Sequence, residues 1–319
     1  MNNKNIILTS AGKRVELLLE FQRELAPAGG RVYSIDLNPS MAPACRVSDG
    51  SFQVPRVTDP GYIEALLDIC KSHDVRLVIP TIDTELLILS QSKAMFSRHG
   101  IEIMVSEEDF ISICRDKRRT MRLFDCLGIR NPEPRDKHNP VFPMFAKPYD
   151  GSLSTNIHLI KSDGDLTPEI ISDSKLIFME YINKAEYKEF TVDMYYGADN
   201  KVKSIVPRER IEIRSGEVNK GAARKNYLVG YLKERMGYIP GVVGCICIQL
   251  FYRERDNDVV GIEINPRYGG GYPLSYYSGA NFPKMMIEEY IGNCTPDYSD
   301  DWLDNTVMLR YDSQVIFRE

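Results

Sequence analysis

The chain has 319 residues, with 40 Lys and Arg against 45 Asp and Glu, a formal net charge of −5, and 43% hydrophobic and 27% charged residues. That is a globular composition long enough for about two domains of ~150 residues, and it lacks the basic footprint of a nucleic-acid-binding protein. Seven cysteines, odd in number and without zinc spacing, imply free thiols; no apolar run reaches the ~20 residues of a membrane span, the N-terminal run is too short for a signal peptide, and the expectation is a cytoplasmic protein with no membrane partner.

Residues 5–25, "NIILTSAGKRVELLLEFQREL", predict a buried strand, a small-residue turn and an amphipathic helix. "GRVYSIDLN" (30–38) predicts a second strand. "DPGYIEALLDICKSHDV" (59–75) predicts a helix capped by Asp59 with Pro60 in its first turn. "RLVIPTID" is a third strand, the residues up to Gly100 another helix, and "IEIMVS" a fourth strand. Alternating strands and helices argue for an α/β parallel sheet over residues 1–106. The pattern then changes. Residues 106–129 predict helix with a break near Arg115–Asp116 and a capping start at Ser106 and Asp109. "NPEPRDKHNP" is a Pro-rich connector, residues 141–162 read as strand, loop, strand, and "KLIFMEYI" as a strand. Residues 189–214 predict a meander turning at "GADN", followed by a helix over about 222–236, a hairpin from Gly244 to Arg267 turning near "DND", and a last helix at "NFPKMMIEEYIG".

The hairpin carries the most chemistry. Period-2 alternation puts Cys245, Cys247 and Gln249 on one face of "CICIQLF", and Glu263, Asn265 and Arg267 on one face of "GIEINPR" if the strand runs through Pro266. Oxygen donors from Glu, Asn and Gln suit Mg²⁺ with phosphate oxygens, and an arginine beside them can neutralise a transferring phosphoryl group. A solvated edge strand fits the same pattern. Lys147 leaves an apolar strand before the small-residue loop "GSLSTN", which suits a phosphate clamp, and Lys117 opens the basic helix "RDKRRTMR". Backbone groups after Glu180 can meet an adenine edge, and Glu189 can accept from ribose hydroxyls. Arg208, Arg210, Glu212 and Arg214 share a face of "PRERIEIR", which suits either anion recognition or solvent.

In this order the segments closely resemble the ATP-grasp superfamily over essentially the whole chain, most nearly the large subunit of carbamoyl phosphate synthetase and short ligases similar to it. The resemblance is most specific at residues 244–292. "ILTSAGKRVEL" resembles the pre-ATP-grasp domain of short amino-acid ligases, including the pyrrolysine-biosynthesis ligase. It implies a pre-ATP-grasp α/β domain (1–106), then a two-subdomain α+β ATP-grasp fold (107–182, the lid; 183–319, with the metal site) holding nucleotide between two sheets. It implies that Lys117 and Lys147 contact the phosphates, that Glu180, Tyr181 and Ile182 form the adenine hinge, and that Glu189 holds the ribose. Glu263 and Asn265 would bind Mg²⁺ (or Mn²⁺) with Gln249 beside them, and Arg267 would stabilise the transferring phosphoryl group. Arg14 and Arg210 are candidate binders of a substrate carboxylate.

The implied function is ATP-dependent ligation of a small-molecule carboxylate to an amine through an acyl phosphate, with a homodimer as the assembly suggested by analogy. The alternatives are a nucleotide-binding partner subunit without turnover, and phosphorylation of a carboxylate or carbamate. Two departures bear on substrate: "GSLSTN" has one glycine where many relatives have several, and "PRYGGGYP" replaces small polar residues beside the expected pocket. The length fits one ATP-grasp unit, where carbamoyl phosphate synthesis uses two, and no glutaminase signature is visible. "TSAGKR" is not a GxGxxG dinucleotide fingerprint.

Overall fold

The structure, a computed structural model, describes residues 4–151 and 156–318. Three sheets organise it. The first is parallel and contains β1 (Asn5–Leu8), β2 (Val32–Asp36), β3 (Ser51–Gln53), β4 (Val75–Ile79) and β5 (Glu102–Ile103), in the order β3-β2-β1-β4-β5. Its strands read as unbroken apolar runs because both faces are covered. Ile6 and Leu8 enter one core and Ile7 the other. The helix Val15–Leu25 covers the first face; the helices Tyr62–Ser72 and Leu86–Ser97 cover the second. β3, which the sequence pattern had not marked, is a three-residue edge strand with only Phe52 packed inward, too short to leave a periodic signal.

The second sheet is antiparallel: β6 (Met144–Pro148), β7 (His158–Ile160) and β8 (Leu176–Glu180), in the order β7-β6-β8, over a small core of its own. The third holds β9 (Lys188–Tyr196), β10 (Val202–Arg214), β11 (Glu217–Ala223), β12 (Gly244–Arg253), β13 (Asp258–Asn265) and β14 (Val307–Leu309), in the order β13-β12-β9-β10-β11-β14. All of its pairings are antiparallel. One core joins the first and third sheets: Phe21 packs edge-on against Tyr268 at 5.8 Å, and the Tyr276 hydroxyl donates to Glu24. No described helix is long and apolar enough to cross a membrane.

The predicted helical break is present: one helix spans Glu108–Arg115 and the next Lys117–Cys126, the second capped by the Asp116 carboxylate accepting from the Arg118 N–H at 2.9 Å. The predicted caps at Asp59 and Ser106 differ. Asp59 accepts instead from Gly61 N–H at 2.8 Å, one residue before the helix begins, and Ser106 bonds across to Val243. The helix expected over about 222–236 starts at Tyr227, because β11 continues to Ala223 and Asn226 provides the cap. Glu263, Asn265 and Arg267 do not share one strand face. β13 ends at Asn265, and the chain turns there, with Arg267 N–H donating to Asn265 C=O at 2.8 Å.

Candidate active site

The second and third sheets, the helix from Lys117 and two loops of the first sheet enclose a cavity of about 940 Å³. All of the sequence-predicted residues line it: Lys117, Lys147, Glu180, Tyr181, Ile182, Glu189, Arg210, Gln249, Glu263, Asn265, Arg267 and Arg14. Residues 152–155, most of the expected phosphate loop, lie outside the described residues.

Lys147 reaches the cavity because β6 alternates: Met144 and Ala146 fill the small core and Lys147 faces the third sheet. It is 9% exposed, and burial pushes its amine down to about 8, an effect opposed by the Glu263 carboxylate and reinforced by Lys117. All three line the cavity. Lys117 is the first residue of its helix. Its N–H donates to Tyr149 C=O at 2.8 Å and its Nζ to Gly151 C=O at 2.5 Å, which ties the helix start to the end of β6.

β12 and β13 pair Gln249 with Glu263 and Cys247 with Asn265. Asn265 Nδ2 donates to Glu263 Oε1 at 3.1 Å, which commits the amide nitrogen and leaves its carbonyl oxygen as the atom available to a cation. Glu263 has no ion-pair partner among the described residues. The donor set is one carboxylate and two amides, and no cluster of three His, Cys, Asp or Glu exists among the described residues. Hard oxygen donors of this kind fit Mg²⁺ when phosphate oxygens complete the coordination.

The Glu180 carboxylate is held by Arg130 Nη2 at 2.7 Å, which commits that side chain. Glu189 is paired with Arg210 Nε at 2.9 Å and Lys184 Nζ at 2.9 Å. Arg210 also reaches Thr191 Oγ1 and Gly216 C=O, so it is braced by Glu189 rather than free to meet an anion alone. The arginine row of β10 is split. Arg208 is buried, Arg210 lines the cavity, and Arg214 is exposed beside Asp312.

Sequence reasoning missed the platform beneath "GGG". Asp193 accepts from Arg208 Nε at 2.7 Å and Nη2 at 2.8 Å, from Ser275 Oγ at 2.6 Å, and from the Cys247 thiol at 3.0 Å. The glycines lie directly on it. A Cβ at Gly271 would stand 2.2 Å from Arg208 Nη1, and one at Gly269 would stand 2.9 Å from Cys247 Sγ. The run of glycines signalled a close approach, but Asp193 sits inside the apolar strand "FTVDMYY" and gave no sign of its partner. The other missed residues belong to the loop 81–85. Glu85 accepts from the Thr81 and Ile82 N–H groups and from Ser10 Oγ, which fixes the loop, and Asp83 accepts from Arg267 Nη2 at 2.7 Å. Arg14 also lines the cavity, with Nη2 donating to Thr81 C=O at 3.4 Å; burial and the neighbouring Arg267 guanidinium lower its pKa, opposed by Glu217.

Residues 6–104 match the family described as "PylC-like, N-terminal domain", and residues 172–309 match the family described as "ATP-grasp in the biosynthetic pathway with Ter operon". No curated protein matches the sequence. The fold is similar to that of the biotin carboxylase domain of the Hydrogenobacter thermophilus 2-oxoglutarate carboxylase, a dimer in complex with MgADP, ADP and bicarbonate (14% identity, TM-score 0.73, 95% of this chain and 73% of that one). It is also similar to N5-carboxyaminoimidazole synthetase from Staphylococcus aureus complexed with ADP (16%, 0.70, 93% and 81%) and to the L-amino acid ligase from Bacillus licheniformis (15%, 0.66, 91% and 75%). Residues 6–104 are thus matched by a PylC-like N-terminal domain and residues 172–309 by an ATP-grasp domain, in tandem, within an architecture similar to these solved structures over nearly the whole chain.

Proposed function

We propose that the chain is an ATP-dependent ligase that joins a small-molecule carboxylate to an amine, and that it divides at about residues 106 and 182 into a substrate-facing domain, a lid and a metal-bearing domain. The carrying observation is that two buried lysines, Lys117 and Lys147, line one cavity with Asn265 and with Glu263, which has no ion-pair partner among the described residues and acts electrostatically on Lys147. Lys117 and Lys147 bind the β- and γ-phosphates. Backbone groups of residues 180–182 take the adenine edge, and Glu189, held by Arg210 and Lys184, accepts from the ribose. Glu263, Asn265 and Gln249 would hold Mg²⁺, which would supply neutralisation of phosphate charge. Arg14 and Arg267 draw the substrate carboxylate towards the γ-phosphate.

In the first step a carboxylate oxygen bonds to the γ-phosphorus, and the β–γ bridging bond breaks with its electron pair leaving on ADP. In the second, the amine nitrogen bonds to the acyl carbon, phosphate departs with its electron pair, and the nitrogen loses a proton to solvent. The protein contributes position and charge neutralisation. A catalytically silent nucleotide sensor has no use for an unpaired carboxylate beside a buried lysine, which favours the enzyme.

The test is ADP release with Mg²⁺ across pooled amino acids, hydroxy acids and uronic acids, with and without amines. The expected result is release from one pool, an acyl hydroxamate when hydroxylamine replaces the amine, and no signal from Glu263→Ala. ADP release that ignores added amine while phosphorylated carboxylate accumulates would make it a kinase instead. A homodimer, by analogy with the dimeric carboxylase domain, is checked by light scattering.

A further inference from the structure

The guanidinium groups of Arg267 and Arg208 are used differently. Arg208 presents its Nε–Nη2 edge to Asp193, and both donors are satisfied by the two oxygens of one carboxylate. In Arg267 the same edge is half filled: Nη2 donates to Asp83 Oδ2 at 2.7 Å, and the buried Nε has no hydrogen-bond partner among the described residues. Nη1 is spent on Tyr268 C=O at 3.2 Å. An anion that binds this arginine through both donors of the edge needs the position that Asp83 occupies.

Asp83 is built to stay there. It comes from the first sheet, 184 residues away in sequence, on a loop held by the buried Glu85 carboxylate and by Thr81 Oγ1 donating to the carbonyls of Thr9 and Ser10. Its own C=O lies 3.4 Å from Arg115 Nη1. The loop is fixed, so the choice falls to the arginine.

We propose that Asp83 is a positioning residue that holds Arg267 away from the γ-phosphate until the substrate carboxylate displaces it, thereby suppressing wasteful hydrolysis of ATP. The proposal rests on the ligase reading. With Asp83 in place, an ATP-loaded but substrate-free site has Arg267 Nη2 committed to Asp83 and not to the phosphoryl group as it transfers. A substrate carboxylate arriving beside Arg14 competes with the guanidinium's hold on Asp83, which releases Arg267 to turn towards the phosphoryl group as the nucleophile arrives. Without that brake, water takes the nucleophile's place. Its oxygen bonds to the γ-phosphorus, the bridging bond breaks towards ADP, and the proton passes to solvent.

The experiment compares phosphate release from MgATP with no carboxylate present, in the full chain and in Asp83→Asn, Asp83→Ser and Asp83→Glu, with ADP affinity measured by calorimetry on each. The expected result is a rise of at least about tenfold in Asp83→Asn and Asp83→Ser, since an arginine that reaches the transferring phosphoryl group is worth far more than that. ADP affinity stays unchanged, and Asp83→Glu stays near the parent rate. A substrate-independent rate that is unchanged or lower in both carboxylate-removing variants, with ADP still bound, overturns the proposal and leaves Asp83 a permanent support for Arg267. If none of the proteins binds ADP, the nucleotide reading itself fails and the proposal falls with it.

Discussion

Lys147 shows how one side chain can set a pH limit. Its folded value of about 8 lies below the ordinary lysine range because burial disfavours the ammonium form. The protonated form is the one that clamps phosphate. Nucleotide affinity is therefore full below about pH 8 and falls as pH rises through that value, by about tenfold for the loss of one charged contact. Calorimetry from pH 7 to 9.5 should show this fall together with proton uptake on binding. Lys147→Met should bind weakly and without that pH dependence; a parent whose affinity is flat over the range would remove Lys147 from the phosphate site. The place of this residue at the end of an apolar strand was legible in the sequence, but its use was not, since a lysine that merely snorkels at a strand end leaves the same pattern. The pairing of Asp83 with Arg267 was not, because nothing local in "PTIDTE" tells of a partner 184 residues away.

Among the elements, the turn after β13 carries a sharp expectation. Gly271 lies where a Cβ would meet Arg208 Nη1 at 2.2 Å and Val218 at 2.6 Å. Gly271→Ala should therefore disturb the buried Arg208–Asp193 pair and cost about 3 kcal/mol, read as a lowered urea midpoint with an unchanged slope. A midpoint equal to the parent's would mean that the loop can lift off the platform without cost. The hairpin itself was legible from its alternation and turn signal, and its observed register pairs Gln249 with Glu263. What period-2 reasoning could not supply was where a strand stops. Pro266 follows Asn265, and the chain turns there, so Arg267 reaches the site from a turn rather than from the strand. The start of the helix at Tyr227 was missed for a related reason: "GAARKN" is as compatible with helix as with the β11 strand that tertiary pairing with β10 draws out to Ala223.

Over the whole molecule, the shared core and the separate core divide stability unequally. The first and third sheets pack on one continuous cluster, whereas the second sheet's own cluster consists, among the described residues, of Met144, Ala146, Ile160, Leu176 and Phe178. Phe21→Ala, which removes a side chain from the junction of the two large sheets, should cost about 3–5 kcal/mol and shift unfolding of both together. Separate transitions by two probes would show them to be independent. Amides of β6 and β8 should exchange faster than those of β9 and β12 and gain protection with ADP, because the lid core is small and the nucleotide ties it to its neighbour. The α/β character of the first region was legible because parallel strands buried on both faces leave unbroken apolar runs. The order of its strands, with β1 at the centre, is set by long-range pairing and left no mark in the chain.

The central claim is that Glu263 and Asn265 bind the metal of a metal–nucleotide complex whose phosphates rest on Lys117 and Lys147. The most direct measurement is calorimetric titration of ATP with and without Mg²⁺ into the parent and Glu263→Ala. The account predicts that Mg²⁺ tightens binding by the parent and not by Glu263→Ala, while both bind metal-free ATP alike. A parent that does not bind ATP, or a Glu263→Ala protein that gains as much from Mg²⁺ as the parent, would contradict it.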